Sequence, residues 1–522
     1  MRPDGRSMRV EARFRESVQR FPDKTMLVAG GRRLTYAAVD AQSDSLAAAL
    51  VKAGIEPGAR IVFLLDNDAE AVTSFLAAWK AGAVACPLYP SMKAEKLAII
   101  LANTEPAAII VHARYLPAVD AAVAAAGIAV VTIATQVPAD AEHAAIRFED
   151  VIKDGAATLP ALSDTEALGL LIHTSGSTGR PKGVMLSQAN IDAACQSIIG
   201  YLDNKPEDVV LSVLPLSFGY GITQMVTMAS VGGTLVLEKS FAFPRKILEH
   251  LAEEKVTGFP LVPTMAAMIS GMKDLIPGFL PNLRYITSAA AALPPAISKR
   301  LQELLPATEI FVMYGQTECF RISFLAPAEL AGRPISVGKA IPGTRAFVID
   351  ESGKPAAPGV IGELVVEGPH VMCGYWRDEV NSRRALETTE HGRRLRTGDL
   401  FRADENGFLH FVSRKDDIIK TRGEKVSPQE VERVLYSIDG VREAAVAGID
   451  DPIFGQVVRA YVALEPGAAL TDKDIIRRCA SQLEDYMVPK SVEFRDALPR
   501  TTTGKIRLSA AADTEPQPEN AA

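Results

Sequence analysis

Apolar residues along this chain alternate between two periods, and that alternation narrows the fold more than any other feature. Tyr36 to Gly54 carries its apolar side chains at helical spacing, Arg60 to Asp66 reads as a buried strand, and Glu70 to Gly82 is helical again. Strand and helix taken in turn imply a parallel sheet with crossover helices. Similar units recur to roughly residue 330. The expected class is therefore α/β, with a large N-terminal domain of βαβ-type subdomains. Thr344 to Asp350 and Gly362 to Glu367 are β-rich and separated by Gly and Pro, which predicts a small β-barrel-like part.

Beyond Arg414 the pattern changes. Ser427, Pro428 and Glu430 form a capping-box signature ahead of the apolar stripe Val431, Val434 and Leu435. Strands are expected over Arg442 to Ile449 and Val457 to Leu464, then a helix from Thr471 that stops before Pro489. These elements make a small α+β domain. Expected boundaries are 1–413 for the N-terminal domain and 414–508 for the C-terminal one, with 509–522 a disordered tail rich in Pro, Glu and Ala.

At 522 residues the chain exceeds what one growing core accommodates, so at least two bodies are required. Its 48% hydrophobic and 23% charged content is that of a soluble globular protein. A net charge of -7 and a pI near 5.7 offer no basic footprint, which argues against a nucleic-acid partner. Cys86, Cys195, Cys319, Cys373 and Cys479 lack paired or metal-ligand spacing and suit a reducing compartment. The first residues mix both charges without an apolar secretory core, so a cytoplasmic location is expected. The longest apolar stretch, Ala121 to Ala134, is too short to cross a bilayer, and no transmembrane segment is expected.

One segment speaks of phosphate. Thr174, Ser175, Gly176, Ser177, Thr178 and Gly179, followed by Arg180, Pro181, Lys182 and Gly183, come directly after the apolar strand Leu168 to Ile172. Glycines and small hydroxyl residues let backbone N–H groups close around phosphate oxygens, and Arg180 and Lys182 add positive charge. The spacing does not fit G-x-x-x-x-G-K-[ST], which disfavours an ordinary P-loop NTPase.

The loop resembles the signature of the adenylate-forming superfamily, the AMP-dependent ligases that include acyl-CoA synthetases, nonribosomal adenylation domains and luciferases. Further segments are similar to that family's later motifs, in its order and spacing over nearly the whole chain: Tyr314-Gly315-Gln316-Thr317-Glu318, Gly362-Glu363-Leu364 through Gly374-Tyr375-Trp376, Arg396 to Leu400, Arg414 to Gly423 and Pro499 to Lys505. The resemblance implies ATP-dependent activation of a carboxylic acid to acyl-AMP, with release of pyrophosphate, and transfer of the acyl group to a thiol. Both reactants of the first step are anions, so charge neutralisation and alignment must dominate catalysis.

Carried over by this resemblance, Glu318 is the Mg2+ ligand, Asp399 and Arg414 hold the ribose, and Tyr314, Gly315 and Thr317 belong to the ATP site with the phosphate loop. Lys505 is the catalytic lysine that bridges carboxylate and α-phosphate. Asp416 is the hinge about which a mobile C-terminal domain turns between half-reactions, and Gly423 borders the thiol tunnel.

Some positions depart from the family's pattern. Phe218 stands where many CoA ligases have histidine, and Gly219 where amino-acid-activating relatives have aspartate, so an α-amino acid would leave a buried ammonium unpartnered. Phe218, Gly219, Tyr220, Thr223 and Val262 are candidate acyl-pocket linings. Ser288 to Leu293 corresponds to an adenine-binding segment, with Ala289 and Ala292 as departures, and His173 replaces a tyrosine. The expected reaction is acyl-CoA synthesis from a fatty or aromatic acid, using ATP, Mg2+ and CoA. One alternative is a stand-alone ligase that loads the phosphopantetheine of a separate acyl carrier protein. A second is a noncatalytic acyl- or nucleotide-binding protein, against which Glu318, Asp399, Arg414 and Lys505 together argue.

Overall fold

A computed structural model describes residues 7–138, 145–153, 158–175, 181–415, 417–421, 424–451 and 455–500. Its contacts divide the chain into two units, Met1–Ala346 with Val365–Arg396, and Phe347–Leu364 with Thr397–Ala522.

The first unit is α/β as its alternation demands. Tyr36–Lys52 and Ala69–Lys80 are helices and Arg60–Leu64 is the strand between them, each ending within two residues of the sequence-based expectation. Among the described residues one sheet has the strand order Gly374–Tyr375, Pro181–Ser187, Leu168–Ser175, Val84–Pro87, Arg60–Leu64, Ala108–His112, Val131–Thr135, Ile146–Arg147. Pairing is parallel from Leu168–Ser175 onward to the Ile146 edge, and antiparallel on the other side. The central strands are buried on both faces, which explains their unbroken runs of Val, Ile and Ala. Ala69–Lys80 is buried along its whole length. Its small residues allow close packing, and both of its charges are paired: Glu70 lies 2.7 Å from Arg32, and Lys80 lies 2.6 Å from Asp40 and 2.7 Å from Asp44.

A second sheet runs Lys339–Ala340, Ser323–Leu325, Glu309–Tyr314, Tyr285–Ser288, Gly258–Leu261, Val209–Ser212, Thr234–Leu237, Thr25–Ala29, Arg32–Thr35. Four neighbours in it, Glu309–Tyr314, Tyr285–Ser288, Gly258–Leu261 and Val209–Ser212, are mutually parallel. Their carboxyl ends therefore emerge along one edge.

In the second unit, Gly455–Leu464 pairs with Val441–Asp451, Ile419–Thr421 and Ser491–Phe494. Val431, Val434, Leu435, Ile475 and Cys479, from the helices Pro428–Tyr436 and Asp472–Ala480, close a core over this sheet. The expected capping box at Ser427 does not form: its hydroxyl donates to the Val412 carbonyl, so a tertiary acceptor outcompetes the local one. Thr471 and Asp474 make the reciprocal box instead. The helix that follows ends at Ala480, earlier than the sequence suggests, and turns occupy the stretch before Pro489.

Candidate active site

The phosphate-loop segment belongs to a hairpin. Leu168–Ser175 and Pro181–Ser187 pair antiparallel, with Thr174 opposite Lys182 and Ser175 opposite Pro181. Gly176, Ser177, Thr178 and Gly179 join them and lie outside the described residues. A P-loop runs from strand into helix; here the next helix, Gln188–Leu202, begins only after the second strand. Gly183 has no room for a side chain, since a Cβ would meet Leu171 at 2.9 Å and Trp376 at 3.2 Å. That close approach seats the hairpin against Gly374–Tyr375.

Lys182 rests over the Tyr375 ring, with Nζ 5.3 Å from the centroid. The same tyrosine donates its phenolic O–H to Glu318 Oε1 at 2.9 Å. Burial, followed by the charge of Glu318, raises the Tyr375 pKa, so the ring stays a donor. Lys182 and Glu318, far apart in sequence, thus share one aromatic neighbour.

Glu318 lies just past the strand Glu309–Tyr314, on the edge defined above. Tyr314 ends that strand, and Gly315 and Thr317 occupy the connection. Gly315 is obligatory, because a Cβ there would come within 2.2 Å of the Phe320 carbonyl oxygen. The neighbouring strand ends at Ser288, whose buried Oγ has no hydrogen-bond partner among the described residues, and Ala290 follows at φ 75°. Val262 follows the next strand. Phe218, Gly219 and Tyr220 follow Val209–Ser212 by a short loop and open the helix Gly219–Val231. In sheets of this type ligands bind outside the carboxyl ends of the strands.

Tyr220 is buried and hydrogen-bonded to Thr287, at 2.7 Å to Oγ1. Thr223 bonds back to the Tyr220 carbonyl at 2.9 Å, so its hydroxyl is committed within its own helix. Two residues that sequence reasoning missed lie beside them. Phe320, at φ 57°, is 3.0 Å from where a Cβ on Gly219 would sit, and the Arg321 guanidinium covers the Tyr220 ring at 4.9 Å. The available signal was a lone charge inside the apolar run Cys319 to Ile322.

His173 is held neutral. Burial lowers its pKa to about 4, its Nδ1 has no partner among the described residues, and Nε2 meets Thr104 Oγ1 at 3.4 Å.

In the second unit, Asp399 and Arg414 are opposite each other in paired strands. Arg414 Nε is 3.9 Å from Asp399 Oδ1, and its side chain is 61% exposed. So loose a pair contributes at most about 1 kcal/mol. Thr397, Gly398 and Asp399 lie within the strand Gly392–Ala403, irregular at Gly398 (φ 70°). Thr397 accepts the Asp399 N–H at 3.1 Å, and Glu363 accepts that of Gly398 at 3.2 Å. Asp416, Gly423 and Lys505 lie outside the described residues.

The sequence model of AMP-binding enzymes matches residues 14–376, and that of their C-terminal domain matches 430–505. The chain belongs to the AMP-binding enzyme family. A feruloyl-CoA synthase of an Amycolatopsis species is 34% identical over 490 residues, covering 93% of this chain and 94% of the relative. Among solved structures, ATP-bound MatB from Rhodopseudomonas palustris superposes with a TM-score of 0.86 at 28% identity, over 96% of this chain and 97% of that one. A benzoate CoA ligase from Burkholderia xenovorans LB400 has the same TM-score at 27% identity, covering 96% and 99%. This AMP-binding enzyme is thus an ATP-dependent, AMP-forming acid–CoA ligase with the α/β architecture of the adenylate-forming superfamily. Among its described residues no helix is long and apolar enough to cross a membrane.

Proposed function

We propose that the enzyme converts a fatty or aromatic carboxylic acid to its adenylate and then to its CoA thioester, in the cytoplasm. The observation that carries this reading is the shared edge of four parallel strands, along which Phe218 to Tyr220, Val262, Ser288 to Ala292 and Glu318 follow one another. Feruloyl and benzoate in the names of two similar proteins support an aromatic substrate. Phe218 and Gly219 support one without an α-ammonium group.

Thr174 to Gly179 and Lys182 would receive the phosphates, with Tyr314, Gly315 and Thr317 flanking the nucleotide. Asp399 would accept the ribose hydroxyls, with Arg414 beside it. A single carboxylate oxygen donor fits Mg2+, which binds through one or two carboxylates and the substrate's own phosphates. Glu318, steadied by Tyr375, would be that donor, and the ion when bound would neutralise phosphate charge. Lys505 would align the attacking carboxylate with the α-phosphorus. Asp416 would be the hinge of the C-terminal domain, proposed to start at 414, and Gly423 would border the path of the thiol. Five free cysteines, four of them buried, fit a reducing compartment.

The test is acid-dependent ATP–pyrophosphate exchange across short, long and aromatic acids, followed by product analysis with free CoA. Exchange together with acyl-CoA is the expected outcome. Robust acyl-AMP without acyl-CoA would assign the acceptor to a carrier protein's phosphopantetheine, and no exchange with any acid would favour a binding protein.

A further inference from the structure

Among the described residues of the first unit, buried lysine and arginine side chains are matched by carboxylates, with one exception. Arg9 is bonded to Glu11, Arg13 Nη2 is 3.0 Å from Asp192 Oδ2, and Lys80 lies between Asp40 and Asp44. Arg321 is only 3% exposed, makes no ion pair with any described carboxylate, and leaves its Nε–H without a hydrogen-bond acceptor. A buried lysine or histidine can escape such a position by releasing its proton; an arginine cannot.

Three neighbours of this guanidinium among the described residues are neutral, and one of them, the Tyr201 phenol, accepts a hydrogen bond from it. Tyr220 presents its ring face at 4.9 Å, and burial outweighs Arg321 in keeping the Tyr201 phenol and the Cys195 thiol protonated. His370, whose ring faces the Arg321 backbone carbonyl, is kept uncharged by burial, with its pKa lowered to about 4. The aromatic face offsets part of the desolvation cost. It supplies no anion.

Location gives the missing anion a meaning. Tyr220 belongs to the Phe218–Tyr220 segment, and Phe320, adjacent to Arg321, packs where Gly219 lacks a side chain. The charge therefore borders the acyl segment. The reacting carboxylate is a poor match for it, because its negative charge disappears when acyl-AMP forms and a guanidinium would tie up its lone pairs. A charge retained through both half-reactions is a better one.

We propose that Arg321 is the counter-charge for a second anionic group, a carboxylate or sulfonate, on the far end of the acid that this enzyme activates. The inference rests on the acid-activation reading above and specifies its substrate class. Guanidinium binds such a group through two parallel hydrogen bonds, which fixes the acid's depth as well as its charge.

The test uses the full-length enzyme with ATP and Mg2+ in pyrophosphate exchange, with matched acid pairs: terephthalate against its monomethyl ester, adipate against its monomethyl ester, and 4-sulfobenzoate against benzoate. The anionic member of at least one pair is expected to be preferred by about 10²-fold or more in kcat/KM, as for a buried polar group that a wrong substrate leaves unpaired. Arg321→Gln should reduce that preference by about 10²-fold, chiefly through KM, with Arg321→Lys falling between. Preference for the neutral member in every pair, or equal loss on both members in Arg321→Gln, overturns the inference while acid activation stands. Absence of exchange with every acid overturns acid activation itself, and this inference with it. Should Arg321→Gln fail to fold, the wild-type ratios alone decide.

Discussion

The Glu318 carboxylate accepts a hydrogen bond from the Tyr375 phenol at 2.9 Å, so its charge and its position can be separated by mutation. Glu318→Gln keeps an oxygen for Tyr375 and removes the charge. Pyrophosphate exchange should fall about 10²–10³-fold with the thermal midpoint unchanged, whereas Tyr375→Phe should cost about tenfold or less. Exchange by Glu318→Gln within a few-fold of wild type would remove Glu318 from the reaction. Glu318 is singled out in the sequence by its motif. Tyr375 as its partner is not, since 57 residues separate them and only the fold brings them together. Ala290 is a second residue whose role depends on backbone: at φ 75° it occupies left-handed space that glycine adopts without strain. Ala290→Gly should therefore raise stability by about 0.5–1 kcal/mol in chemical denaturation, and a loss of that size would show that the methyl group packs favourably.

The strand Leu168–Ser175 carries His173 towards the phosphate-loop hairpin, and His370 lies beyond the strand Gly362–Glu367. Burial holds both imidazoles neutral down to about pH 4. Unfolding would return each to an ordinary pKa near 6.5, so between those values the unfolded chain binds more protons than the native one. Stability is thus complete above about pH 6.5 and declines as pH falls towards 4, by on the order of 2–3 kcal/mol per histidine. His370→Gln should flatten that decline in urea titrations from pH 7 to 4.5; an unchanged slope would assign the acid lability to carboxylates. Such environments were beyond sequence reading, because nothing in His173 or His370 announces what will cover it. The hairpin was half legible for a related reason. Leu168 to Ile172 reads as a strand by itself, but Pro181, Lys182 and Gly183 have poor strand propensity and become extended only through pairing with His173 to Ser175. At Ser427 the sequence pattern was present, and the Val412 carbonyl displaced it.

Across the molecule, periodicity was sufficient for the α/β class because a strand buried on both faces has few alternatives to a parallel sheet covered by helices. Spatial neighbours such as Arg321 and Tyr220 were not accessible that way, since they meet through strands whose order in the sheet differs from their order in the chain. The remaining whole-molecule question concerns two half-reactions with incompatible needs: adenylation wants a cation between carboxylate and phosphate, and thiolysis wants that space open to a thiol. A single rigid arrangement cannot provide both. If Lys505 supplies the cation and then withdraws with its domain, the two steps must respond differently to its loss. Lys505→Ala should reduce pyrophosphate exchange by about 10²-fold or more, because an aligned charge in the transition state is removed. The same variant given preformed acyl-AMP and CoA should make thioester at near the wild-type rate, read by acyl-CoA formation in a single turnover. Equal loss in both assays would mean that Lys505 acts in one fixed arrangement throughout, and the two-state scheme centred on Asp416 would fall with it.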